Sequence, residues 1–188
     1  MTEELHQIIA NNIRSRRTSM LVDKDRPVPD ELIHELCELA TWAPNHKRTW
    51  PWRFAAITGP AQLRFGDTVA QAMAAFGDEP AKVDKARTKY ARTPSVVVIG
   101  STAGDSELRT IENRDATAAA VQNLMLAATA RGLATYWGSC PKGANDPVAE
   151  FCGFEPDTAV VCIMYIGWAT SAVETPMRPQ PSINYLND

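Results

Sequence analysis

From Asp115 to Arg131 the chain reads DATAAAVQNLMLAATAR, alanine-rich and apolar on nearly every face of the helix it predicts. A helix of that kind has to be covered all round. A chain of 188 residues is sized for one domain spanning 1–188, and one small domain has little room for a helix buried on all sides. The helix is therefore expected to lie against a second subunit, with Gly132 supplying its C-terminal stop.

The rest of the composition sets outer bounds. Hydrophobic residues make up 45% and charged residues 22%, ordinary for a folded domain, and a chain this long buries roughly 70% of its unfolded surface without disulfide staples. A net charge of −3 argues against a dedicated nucleic-acid binder. The longest apolar run, Ala159 to Ala169, falls short of the ~20 residues of a membrane span. Met1-Thr2-Glu3-Glu4 lacks the basic and apolar regions of a signal peptide. Cys37, Cys140, Cys152 and Cys162 form no CxxC pair and no disulfide framework. A soluble, cytoplasmic protein without membrane or nucleic-acid partners is expected.

Pro27 to Pro44 reads as a helix, with Leu32, Leu36, Leu39, Ala40 and Ala43 at helical spacing, Asp30 as its N-cap and Pro44 as its stop. Further helices are expected over Glu3–Ile13, Pro60–Phe76 and the basic stretch Ala81–Arg92. Strands are expected over Arg53–Thr58, Pro94–Gly100, Leu133–Trp137 and Val160–Ile166. The tail from Glu174 to Asp188 holds Pro176, Pro179 and Pro181 and cannot be helical. It also carries Met177, Ile183, Tyr185 and Leu186, so it reads as an extended arm packed on a partner chain. Strands interleaved with helices of uneven length indicate an α+β domain.

Several chemistries lack residues. There is no GxGxxG and no GxSxG, and Gly138 to Gly143 resembles a phosphate loop only superficially. His6, His34 and His46 are far apart in sequence and no metal-ligand spacing occurs, so no metal site is expected. No pair of carboxylates stands out as acid and base, and no catalytic side chain is nominated.

Three segments remain. In Arg14-Ser15-Arg16-Arg17-Thr18, guanidinium groups and a hydroxyl suit a phosphate, although arginines at a helix C-terminus also offset the macrodipole while staying in water. Local chemistry alone favours the second reading. Trp42 to Phe54 gathers three tryptophans with His46, Lys47 and Arg48, a surface for a flat anionic ligand. Trp52 and Phe54 read as core anchors, while Trp42, His46 and Lys47 are harder to explain that way. Gly132 to Pro141 is a strand ending in Trp137-Gly138-Ser139, where backbone amides can approach a ligand edge or simply turn the chain.

Together these segments resemble the FMN-dependent nitroreductase family. The resemblance rests on Arg16-Arg17-Thr18, then Ala43-Pro44 followed after six residues by Pro51-Trp52-Arg53-Phe54. It continues through Asp115 opening a helix with Ala119-Ala120-Val121-Gln122-Asn123-Leu124, Gly132-Leu133 leading to Trp137-Gly138, and Tyr165-Ile166-Gly167. It covers essentially the whole chain, and Asn45-His46-Lys47 is similar to a small subgroup of the family.

The resemblance implies a nitroreductase-like fold, with a central, mostly antiparallel sheet flanked by helices and an extended C-terminal arm. It implies a homodimer with FMN at the subunit interface, reduced by NADH or NADPH and reoxidised by nitroaromatics, quinones or similar small-molecule acceptors in a ping-pong cycle. It places Arg16 and Thr18, with Arg17 beside them, at the FMN phosphate and ribityl chain, and Arg178 as a second phosphate cation. It places Trp42 and His46 at the flavin from the other subunit, and the backbone of Trp137, Gly138 and Ser139 against the isoalloxazine.

Two positions depart from the family pattern. Met20 stands where many members carry Arg or Lys near flavin N1 and O2, and Trp42 stands where relatives often have Arg. A cation at the first position tunes the flavin potential; here His46, Lys47 or Arg48 is expected to supply it. The alternative is a nitroreductase-like protein that holds FMN with little turnover.

Overall fold

The computed structural model describes residues 2–187; Met1 and Asp188, the latter the end of the expected arm, lie outside them. Chain order is α1 (Thr2–Ser15), β1 (Val22–Asp23), α2 (Asp30–Ala40), β2 (Trp52–Thr58), α3 (Ala61–Phe76), α4 (Pro80–Lys89), β3 (Ser95–Ser101), α5 (Glu107–Ala130), β4 (Leu133–Gly138), α6 (Asn145–Phe151) and β5 (Ala159–Ala169). Short 3-10 turns occupy His46–Arg48 and Tyr90–Arg92.

All four strand pairings are antiparallel: β2 with β3, and β5 with β3, β4 and β1. Strand β5 is central, which is why its sequence is apolar without interruption. Alternate side chains leave it on opposite faces. Cys162, Met164 and Ile166 join the core beneath α2 and α5, whereas Ile163 and Tyr165 join the core beneath α3, α4 and α6. In β3, Val97 and Ile99 go to the first layer, and Val96 and Val98 to the second. The sheet is thus sandwiched between helices, as the α+β reading requires. Each fully buried Leu or Ile, such as Leu36, Ile99 or Leu124, contributes roughly 1.5–3 kcal/mol.

Helix α5 begins at Glu107 rather than Asp115, with the Ser106 hydroxyl accepting from the backbone N–H of Arg109 at 3.2 Å as its N-cap. In its first turns, ELRTIENR, Leu108 and Ile111 are exposed while the buried residue is polar, Asn113, so no apolar stripe marks them. One face, from Ala116 through Ala120, Val121, Leu124 and Ala128, is buried within the chain, while Ala118, Ala119, Gln122 and Ala127 are half-buried. The expected cover on every face is therefore incomplete in a single chain. Helix α1 buries nothing: Leu5, Ile8, Ile9 and Ile13 form an exposed stripe at helical spacing.

Two local expectations change. Asp30 is the first helical residue of α2 rather than its cap, Pro29 holds the cap position, and the helix ends at Ala40 before a looser turn through Ala43. Helix α6 and the two-residue β1 went unforeseen. From Thr175 to Asn187 the tail is exposed and without helix or strand. Among the described residues, no helix is long and apolar enough to cross a membrane.

Candidate functional site

The segment after α1 runs beside the edge of the sheet. Thr18 forms a parallel bridge to Thr135 of β4, and the Ser19 N–H donates to the Thr135 carbonyl at 3.0 Å. Because this pairing is parallel, the chain from Arg16 to Met20 advances in the same direction as β4. Arg16 and Arg17 stay at the start of the strand while Met20 arrives near Gly138. Two of the motifs singled out above are thus brought side by side.

Arg17 is half-buried, and its guanidinium donates to the Arg16 carbonyl at 2.6 Å and to the Thr175 hydroxyl at 2.5 Å. Its Nε is buried with no hydrogen-bond partner, as is the Thr135 hydroxyl. An unsatisfied buried donor costs about 1–3 kcal/mol, which an anionic acceptor would recover. Thr175 lies in the C-terminal tail, so the same contact brings the segment carrying Arg178 near Arg17. Arg178 itself is exposed.

At the other end of β4 opens a cleft of about 510 Å³, lined by Met20, Lys89, Arg92, Tyr136, Gly138 and Ser139, with Ile163 and Tyr165 behind. Gly138 fits closely there: a Cβ would fall 3.1 Å from both the Ile163 carbonyl oxygen and the Tyr165 ring, so these neighbours would have to shift by a few tenths of an ångström. Trp137 does not line the cleft: its indole donates to the Val161 carbonyl at 3.2 Å and packs on the α2–α5 side of the core. Trp52 and Phe54 also belong to that core.

Lys89 and Arg92 went unnoticed as site residues, because in sequence they belong to a basic stretch like any solvated helix. They are positioned by the fold. Gln62 of α3, buried, donates to the carbonyls of Tyr90 (2.9 Å) and Thr93 (2.8 Å), pinning the turn that carries both cations. Tyr90 wedges that turn between Phe65 and Tyr165, at ring separations of 4.6 and 5.7 Å. Burial holds the Lys89 ammonium below the usual lysine range, with Arg92 adding to the effect and Cys140 opposing it. Burial likewise pushes the Cys140 thiol up to about 11, so it is protonated and unreactive at neutral pH.

Trp42 and His46 lie elsewhere. The Trp42 indole donates to Glu38 at 2.6 Å, and the residue is 75% exposed. His46 Nδ1 sits 3.0 Å from Glu112 and 3.0 Å from Arg109, which also pair with each other at the start of α5. The loop is strained: Lys47, Arg48 and Trp50 have φ of 61°, 53° and 48°. Such residues cost about 1–3 kcal/mol each unless braced. Asn12 at the end of α1 instead meets the α5 carbonyl of Leu126 at 3.1 Å. From Glu112 to Leu126 is about 21 Å along a helix axis. Within one chain, then, Arg16, Arg17 and Thr18 lie alongside β4, whose far end carries Gly138, whereas Trp42 and His46 lie elsewhere.

Residues 13–168 match the model of the nitroreductase family. The chain belongs to the nitroreductase family. It is 29% identical, over 94% of its own length and 93% of the relative's, to a Bacillus subtilis (strain 168) protein named "Putative NAD(P)H nitroreductase YfhC". A nitroreductase-like family protein from Bacillus cereus superposes with a TM-score of 0.79 at 29% identity, covering 92% of this chain and 91% of that one. The FMN-dependent nitroreductase NfnB from Mycobacterium smegmatis, solved with NADPH, shares the fold at TM-score 0.72 and 21% identity, covering 93% and 96%.

For a nitroreductase, the residues present suit FMN. A buried arginine donor lacking an acceptor lies beside the start of β4, and a cleft with a glycine at its edge and two cations on its wall lies at the strand's end. Among the described residues, no group of histidine, cysteine or carboxylate side chains is arranged to hold a metal.

Proposed function

We propose that this nitroreductase is a homodimeric flavoprotein oxidoreductase driven by NADH or NADPH, with one FMN at each of two sites completed across the subunit interface. The chemistry FMN supplies when bound is hydride acceptance from NAD(P)H and electron delivery to nitroaromatic, quinone or similar acceptors, in a ping-pong cycle. The observation that carries this reading is the parallel run of Arg16–Met20 beside β4, which leads from two arginines to the Gly138 cleft.

In this reading Arg16, Arg17 and Thr18 bind the phosphate, with Arg178 beside them through the Arg17–Thr175 contact. The backbone at Gly138 and Ser139, with Trp137 fixing the strand end, approaches the flavin edge. Trp42, beside Glu38 at the end of α2, and His46, beside Glu112 and about 21 Å along α5 from Leu126, reach the flavin bound to the partner. The exposed stripe of α1 and the half-buried alanines of α5 provide the apolar surface a dimer needs.

Met20 removes a cation that many relatives carry, but Lys89 and Arg92 line the same cleft. Their positive charge stabilises a flavin that has accepted electrons, which favours turnover over simple retention of FMN. No side chain is assigned as a general acid or base. The test is an anaerobic titration of FMN-loaded protein with NADPH and with NADH, followed by the flavin absorption band. Stoichiometric bleaching is expected. A bound flavin that stays oxidised with both nucleotides would overturn the oxidoreductase reading.

A further inference from the structure

Three of the four non-glycine residues with positive φ among the described residues fall in one loop, Lys47, Arg48 and Trp50. A chain of hydrogen bonds holds that loop. The Asn45 carboxamide accepts from the Trp50 N–H (2.8 Å) and donates to Thr49 (3.0 Å). Thr49 donates to Asn113 of α5 (2.6 Å), and Asn113 donates to the Thr102 carbonyl (3.1 Å). The braced loop closes one wall of a second cleft, about 550 Å³, whose lining includes Lys47, Thr49, Thr102, Gly104, Asp105 and Arg109.

Two cations from different elements meet there. Arg109 is fixed: it pairs with Glu112, touches His46, and lies over Gly104, where a Cβ would fall 2.4 Å from the Arg109 Cγ. Lys47 also lines the cleft, in its left-handed conformation, and among the described residues it has no carboxylate within ion-pair distance. Asp105 is the one acid lining the cleft and works against an anion. The polar lining and unpaired ammonium suit a small, multiply charged anion rather than an apolar acceptor.

We infer that this cleft binds a phosphate of the nicotinamide donor, with Lys47 and Arg109 as its cations. The inference rests on the proposed NAD(P)H reading. The loop that carries Lys47 also carries His46, which in the proposed dimer reaches the flavin bound to the partner. A dinucleotide whose nicotinamide lies at the flavin therefore carries its phosphates along this loop. Two phosphate sources share that chemistry, the pyrophosphate common to NADH and NADPH and the 2′-phosphate of NADPH alone.

The test is calorimetric titration of the FMN-loaded dimer with ADP-ribose, with adenosine 2′,5′-bisphosphate and with adenosine, none of which can donate a hydride. At least one phosphorylated ligand should bind and adenosine should not. Lys47→Gln, which keeps an unbranched side chain at the strained position, should weaken that binding about tenfold. Asp105→Asn should tighten it, and added salt should weaken it. Sensitivity of ADP-ribose marks the pyrophosphate, and sensitivity of the bisphosphate alone marks the 2′-phosphate. Equal affinity for adenosine, or affinities unmoved by both substitutions, would overturn the site. Flavin content and bleaching by NAD(P)H, measured on the same samples, separate that outcome from failure of the oxidoreductase reading.

Discussion

Replacing Arg16 by alanine isolates the phosphate end of the proposed flavin site. Arg16 is half-buried at the end of α1, and its hydrogen bonds run through its backbone: its N–H donates to Asn12 at 3.2 Å and its carbonyl accepts from Arg17 at 2.6 Å. The substitution therefore removes a guanidinium without unpairing any acid in the fold, and the apoprotein should unfold at nearly the wild-type denaturant concentration. Arg17→Ala would be less clean, because Arg17 also ties the tail through Thr175. A phosphate monoester carries about −1.5 to −2 charges, and one charge-assisted hydrogen bond to it contributes ~1.5–3 kcal/mol. FMN affinity should accordingly fall about 10- to 150-fold, with a shallower dependence on salt because one cation is gone. Quenching of FMN fluorescence on titration with apoprotein measures both. A dissociation constant within about twofold of wild type, where the lost bond requires tenfold or more, would refute the phosphate assignment.

Other perturbations probe the dimer, the packing that sets the cleft, and its charge. Charging the exposed stripe of α1 with Ile8→Glu and Ile9→Glu should convert the dimer to monomer by light scattering; an unchanged dimer mass would place the interface elsewhere. At Gly66 a Cβ would fall 2.1 Å from the Arg87 carbonyl oxygen, so Gly66→Ala should force α3 and α4 apart. A cost of about 3 kcal/mol lowers the melting temperature by roughly 6–12 °C, and an unaltered melting curve would contradict this packing. Lys89 has its pKa lowered, chiefly by burial, so its charged form opposes folding. Between that lowered value and the ordinary 10.5 the folded apoprotein holds fewer protons than the unfolded chain, and stability contributed by this group rises with pH. Lys89→Met should flatten that rise and stabilise the apoprotein at neutral pH, as measured by urea unfolding; a loss of stability there would show that the ammonium supports the fold instead.

Most of the architecture was legible because it depends on periodicity. Helices α2 and α3 and strands β2 to β5 each announce themselves by spacing or by β-branched runs, and the observed boundaries differ by a few residues. What escaped was short or polar. Helix α6 has seven residues and β1 two, too few for a period to show. The first turns of α5 bury a polar residue, Asn113, and leave Leu108 and Ile111 exposed, so they carry no apolar stripe. Asp30 moved from cap to first turn because Pro29 already supplies a suitable entry. Of the candidate site, the arginines before Thr18 and the glycine after Trp137 were found through the resemblance, whereas Lys89 and Arg92 sit in a basic stretch whose local pattern is that of any solvated helix.

By itself the sequence determined that the central strands are covered on both faces, that the alanine-rich helix carries apolar residues around its circumference, and that the proline-bearing tail forms no helix. These follow from nearest-neighbour periodicity and backbone sterics, which act within a few residues. Only the tertiary structure decided that Thr18 pairs in parallel with Thr135, that Gln62 clamps the turn bearing Lys89, and that His46 sits a long helix away from Arg16. Those placements come from burial and hydrogen bonding between segments tens of residues apart, where no local pattern records which charge will face which strand end.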